Sequence, residues 1–174
     1  MQKLIVYILI TAVLVVLSTA NIGAQTLSDS SATLKNTEER PGYDYRVENL
    51  RKFLEKYNSP LAVYADEFVI YADINALDYR LVPSITGVES TFGKHIPFES
   101  FNAYGWANGE YTFISWEDSI AHVSKTLKTN YIDKGAPTIA KIAKRYAPPS
   151  TTWGKNVKFF VAKIDTLPLN FDII

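Results

Sequence analysis

Cysteine is absent from all 174 residues, so no disulfide framework, thiol nucleophile or thiolate metal site can be built. Histidine is nearly absent too. His95 and His122 are too few for a histidine-rich metal cage, and a Ser-His-Asp triad would have to use one of them. Net charge is also missing, because 18 basic and 18 acidic side chains cancel. Charged residues make up only 21% of the chain, which leaves no sequence-wide basic surface for gripping nucleic acid. The apolar fraction, 47%, is in turn too high for a disordered protein. One ordinary globular domain with an added apolar segment remains.

That segment comes first in the chain. Lys3 is followed by an uncharged apolar core of 14 residues, 4–17, and then by Ser18, Thr19, Ala20, Gly23 and Ala24. A short basic start, an apolar core and small residues are the layout of a secretory signal peptide, cleaved after Ala20 or Ala24. The competing reading is an uncleaved anchor in the cytoplasmic membrane, since residues 4–22 approach the roughly 20 needed to cross a bilayer. Ser18, Thr19 and Asn21 weaken the far end of such a span. On both readings the rest of the chain is exported to the envelope or beyond, where its stability must come from packing rather than bridges. Residues 25–45 turn to Ser, Thr, Asn, Asp and Glu around Pro41-Gly42, with no apolar periodicity, and read as a tether. The expected organisation is a leader over 1–24, that tether, a folded domain over 46–166 and a tail over 167–174.

Within the domain, Val47, Leu50, Phe53, Leu54 and Tyr57 recur at helical spacing. Asn58-Ser59-Pro60 ends that helix and opens a second, through a serine cap with proline in the first turn, that runs to about Ala72. Asp78 can cap a third helix with Leu81, Val82, Ile85 and Val88 on one face, which Pro83 should bend or shift in its start. Residues 93–101 read as loop. Asn108-Gly109 between aromatic flanks predicts a β-hairpin over 104–114, because both turn positions favour positive φ. Ser115-Trp116-Glu117-Asp118 forms a capping box for a long helix striped with Trp116, Ile120, Val123, Leu127 and Tyr131, closed by Gly135. Pro137 begins a short helix carrying Ile139, Ile142, Ala143 and Tyr146, and Trp153, Val157, Phe160 and Ile164 mark a last one. The fold class is mainly α, with five to six helices and one small hairpin.

Glu89 stands out chemically, because it shares the core-facing stripe with Leu81 and Ile85. A carboxyl group buried there without a partner has its pKa raised, which is how enzymes keep an acid able to donate a proton near neutral pH. The alternative is a glutamate in the final turn that reaches solvent or a basic partner.

Three segments then occur in order: Glu89-Ser90-Thr91-Phe92-Gly93 at a helix end, Asn102-Ala103-Tyr104-Gly105-Trp106, and Ser115-Trp116-Glu117-Asp118-Ser119-Ile120 opening a helix. With Tyr146-Ala147-Pro148, Trp153 and Asn156-Val157 after them, the chain resembles the lysozyme-like superfamily over residues 59–164. More narrowly, it resembles the bacterial peptidoglycan N-acetylglucosaminidases of the mannosyl-glycoprotein endo-β-N-acetylglucosaminidase-like kind, with lytic transglycosylases and goose-type lysozymes as more distant kin. The resemblance implies a lysozyme-like fold and a glycoside hydrolase acting on the glycan strand of peptidoglycan. Glu89 would be the general acid that protonates the leaving oxygen. Tyr146 would be the aromatic residue across the cleft from it. Ser90, Asn102, Tyr104 and Trp106 would contact substrate, against the plainer alternatives of a helix-end hydroxyl, a turn-forming asparagine and hairpin packing.

Glu110 is the best-placed candidate for a second carboxylate, with Glu99 weaker and Glu117 and Asp118 better explained as first-turn acids on a helix dipole. Lytic transglycosylases need only one glutamate, since the sugar's own hydroxyl closes on the anomeric carbon. Residues 101–160 carry eight basic and four acidic side chains, so this half is positive, while residues 25–100 carry eight and twelve. No metal or organic cofactor is implied, no nucleic acid partner is expected, and a monomer is anticipated. Two other classes compete: a catalytically inactive, membrane-tethered glycan-binding module, and a serine hydrolase. The latter lacks any Gly-x-Ser-x-Gly spacing.

Overall fold

A computed structural model describes residues 44–165. The expected leader, all but the end of the tether, and the tail lie outside the described residues. Those described are mainly helical, in six α-helices: α1 (Tyr45–Lys56), α2 (Ala65–Ile74), α3 (Leu81–Ser90), α4 (Trp116–Thr126), α5 (Ile139–Tyr146) and α6 (Trp153–Ile164). None of them is long and apolar enough to cross a membrane.

Local chemistry explains where each begins. Asp44 caps α1 by accepting from the Arg46 N–H at 2.9 Å, and the stripe Leu50, Phe53 and Leu54 is buried. Ser59 accepts from the Leu61 N–H at 3.0 Å and opens a tight 3₁₀ turn, Pro60–Tyr64, that leads into α2. Pro83 is the third residue of α3, where no intrahelical acceptor is needed for its missing N–H, so the helix starts at Leu81 and accommodates it. Ser115 accepts from the Asp118 N–H at 3.1 Å, and the Asp118 carboxylate reaches one residue further back than a capping box does, to the Ile114 N–H at 3.2 Å. α4 continues into a wider π turn, Leu127–Ile132. The next helix starts two residues after Pro137, because the Thr138 hydroxyl takes the Lys141 N–H at 3.2 Å.

The expected hairpin is a correction. No strand occurs among the described residues, and residues 104–114 hold only the short turn Trp106–Gly109. Asn108 and Gly109 do take positive φ, 54° and 90°, but so do Gly105 at 71° and Ala107 at 50°. The chain therefore winds through a longer turn instead of reversing over two residues. Asn102 supplies the hydrogen bonds a partner strand would have made. Its Nδ2 donates to the carbonyls of Trp106 and Tyr111, each at 2.9 Å, and its Oδ1 accepts from the Trp106 N–H at 3.2 Å.

α3 lies at the centre and packs on α6, while α2 packs on α4 and α5 on α6. Leu81, Val82, Ile85 and Thr86 are buried along α3. Beside them Phe92 packs edge-on against Phe53 and Phe160, with centroids 5.4 and 4.9 Å away. Gly87 permits this approach, since a Cβ there would lie 2.6 Å from the Phe92 ring. At the other end of α3, the Tyr79 hydroxyl donates to Asp165 at 2.8 Å and Arg80 pairs with Asp78 in a buried ion pair.

Candidate active site

Glu89 occupies the last turn of α3, and the chain beyond it is held firmly. Thr91, Phe92 and Gly93 all take left-handed φ, 52°, 59° and 79°, a costly conformation for a β-branched and an aromatic residue. Four hydrogen bonds support it. The Phe92 N–H reaches the Thr86 carbonyl at 3.0 Å, the His95 N–H the Ser90 carbonyl at 2.9 Å, and the Gly93 N–H the Ser90 hydroxyl at 2.9 Å, while Ser59 donates to the Phe92 carbonyl at 2.8 Å.

The Glu89 carboxyl is partly buried, and its two oxygens meet different surroundings. Oε1 accepts from the Trp153 indole N–H at 2.6 Å, at the first residue of α6. Oε2 faces Gly105, where a Cβ would come within 3.0 Å of it. Burial raises the pKa above the ordinary 4.5, and the indole N–H, which stabilises the carboxylate, lowers it by less. Among the described residues no second carboxylate contributes to the rise.

Tyr146, the last residue of α5, stacks on Trp153 with centroids 4.9 Å apart and planes 25° from parallel. Its hydroxyl donates to the Tyr104 carbonyl at 2.8 Å and accepts from the Trp106 indole N–H at 3.1 Å. Desolvation, with the Glu89 charge second, pushes this phenol well above its ordinary range, so it stays protonated and keeps donating to the Tyr104 carbonyl. Glu89, Trp153, Tyr146 and Trp106 are thus linked by one chain of stacking and hydrogen bonds. An open cleft of about 430 Å³ lies alongside, lined by Gly105, Trp106, Tyr111, Tyr131 and Tyr146 among others.

The remaining sequence candidates separate. Trp106 is partly buried and lines the cleft. Tyr104 is fully buried, its ring against Phe113 at 6.3 Å, so it gives the site its backbone carbonyl and the core its ring. Ser90 is buried, with its hydroxyl directed at the carbonyls of Thr86 and Ala103 and accepting from Gly93, which ties the helix end to the following loop. Asn102, 2% exposed, spends its amide on the turn as described above. In both cases the contacts are those of the plainer alternative. Glu110 is exposed just beyond the turn, and no hydrogen bond or ion pair joins its carboxylate to Glu89 among the described residues. His95 and His122 are exposed, the latter with its ring 5.5 Å from Trp106. Among the described residues no group of histidine, aspartate and glutamate side chains could hold a metal ion.

Two residues were not anticipated as part of the site. Trp153 reads in the sequence as a stripe residue, yet an indole in a buried first turn needs an acceptor for its N–H, and that requirement points to a nearby carboxyl. Gly105 lies between two aromatic residues, where a missing side chain permits close approach to a neighbour. No family model matches the chain, and no curated protein is significantly similar to it.

Proposed function

We propose that the protein is an exported glycosidase, built as a lysozyme-like domain, that cleaves the glycan strand of peptidoglycan with Glu89 as its general acid. The observation that carries this reading is the carboxyl itself: raised in pKa by burial, held on one oxygen by Trp153, and turned on the other toward Gly105 beside an aromatic cleft. A group in that state gives its proton to the glycosidic oxygen as the bond to the anomeric carbon breaks. The carboxylate left behind keeps the indole N–H on Oε1, so the product of proton transfer is stabilised where it forms. Aromatic faces such as those of Trp106 and Tyr131 suit the C–H faces of sugar rings. Tyr146 holds the Trp153 plane and the Tyr104 backbone in place. The basic start, apolar run and small residues at the N-terminus support export.

One observation favours a single-acid variant of this chemistry. Among the described residues no carboxylate is a cause of the raised Glu89 pKa, and Glu110 is exposed. A lytic transglycosylase, in which a hydroxyl of the sugar closes on the anomeric carbon, needs nothing more.

The test is digestion of purified peptidoglycan by the protein and by Glu89→Gln, with products reduced by borohydride and identified by mass spectrometry. Loss of cleavage by about 10²- to 10⁴-fold in the variant is expected of a general acid. Reduced glucosamine ends would identify a glucosaminidase, reduced muramic ends a muramidase, and unreduced products lighter by one water a transglycosylase. Binding by both proteins without cutting by either would replace the enzyme with a glycan-binding module.

A further inference from the structure

A second concave surface, whose lining does not include Glu89, lies elsewhere on the domain. It has a volume of about 650 Å³ and lies between α5 and α6 under the loop 148–151. Ala140, Ala143, Pro148 and Pro149 supply apolar lining, and the helices draw close where Gly154 would place a Cβ 3.2 Å from that of Ala143. Lys144, Lys155 and Lys158, with the hydroxyl residues Ser150 and Thr151, supply the polar part of the lining, which includes no acidic residue. None of these three lysines has an ion-pair partner among the described residues. The volume is that of a small-ligand site.

From this we infer that the pocket takes a short acidic peptide, namely the carboxylate-bearing peptide branch of the glycan on which the cleft acts. An inorganic anion would leave the apolar lining unused, and a neutral sugar would leave three cations without a counter-charge. Free carboxylates beside alanine methyl groups match both features. The pocket and the cleft also share their supports. α5 carries Ala140, Ala143 and Lys144 before ending at Tyr146, and α6 opens with Trp153 before presenting Gly154, Lys155 and Lys158. The pocket is thus built on the same two helices that carry Tyr146 and Trp153. The assignment of the peptide to the substrate rests on the glycosidase reading; the affinity for an acidic peptide does not.

Calorimetric titration of the full-length protein with a synthetic alanine- and glutamate-containing stem tripeptide provides the test. Binding should weaken about tenfold in Lys144→Gln/Lys155→Gln/Lys158→Gln, as three partly screened ion pairs imply, and weaken as salt is raised. The corresponding triple arginine variant should restore it, which guards against misfolding of the glutamine form. No binding by the wild type, or equal binding by the glutamine variant, overturns the proposal. Tight binding of an alanine-free polyanion in competition with the tripeptide also overturns it, in favour of a wall-polymer site. Cleavage is then compared on intact peptidoglycan and on glycan strands stripped of peptide. The lysine variant should lose its preference for the branched substrate while cutting stripped strands as the wild type does; an unchanged preference overturns the link to the substrate. If the wild type cuts neither polymer but binds the tripeptide, the glycosidase reading fails and the peptide pocket stands.

Discussion

Glu89 is expensive to keep in the folded protein, and the expense depends on pH. Its folded pKa lies above the unfolded value near 4.5, so both states are protonated below that value and burial costs nothing there. As pH rises through the folded pKa, ionisation favours the unfolded chain and stability is lost. Glu89→Gln, neutral at every pH, should therefore melt at a higher temperature than the wild type at pH 7, with the difference closing below pH 4.5. Calorimetric scans across that range check the sign; a variant that melts lower at pH 7 would show Glu89 to be stabilising and paired. Trp153 acts in the opposite direction on the same group. In Trp153→Phe the carboxylate loses its donor, so the alkaline limb of the pH profile should move upward while kcat drops by about 10- to 100-fold, the usual worth of a hydrogen bond to a charged group. A profile left in place would exclude Trp153 from the proton chemistry.

Among the elements, the turn after Asn102 shows best what one side chain can organise. Removing the amide in Asn102→Ala takes the side-chain partner from the Tyr111 carbonyl and the Trp106 N–H, while the Trp106 carbonyl keeps the Tyr111 N–H at 3.4 Å, and should cost about 1 to 3 kcal/mol in a denaturant titration. The helices were legible in the sequence because each carries its own apolar stripe, and Ser59 and Ser115 mark starts as expected; the Thr138 cap lay one residue past the expected Pro137, and Asp78 pairs with Arg80 instead of capping α3, whose cap residue is Arg80. The hairpin was misread for an equally local reason. Asn108-Gly109 reports which residues tolerate positive φ, not whether their neighbours pair with each other or with an asparagine six residues earlier. Glu89 was legible from its place on the stripe. Its partner was not, since Trp153 is 64 residues away and only the docking of α6 on α3 brings the two together.

For the whole molecule, α3 is the element through which core and site are coupled. Its middle packs against α6 and its final turn carries Glu89, with Phe92 wedged between the two helices over Gly87. Gly87→Ala would place a methyl carbon 2.6 Å from the Phe92 ring and 3.1 Å from Phe160. The expected result is a loss of about 1 to 3 kcal/mol in thermal or chemical unfolding from overpacking, with the proposed glycan cleavage falling alongside because the same helix carries Glu89. A variant that keeps wild-type stability would show that the ring slides aside freely.

The contact between Glu89 and Trp153 also has a consequence for timing. Residues 89, 105 and 153 converge only after both ends of the domain have been made and brought together. Until then Glu89 is an ordinary glutamate, ionised at neutral pH and unable to act as an acid. On the proposed reading, tertiary assembly is the step that completes the acid, and a chain that has not yet folded lacks it.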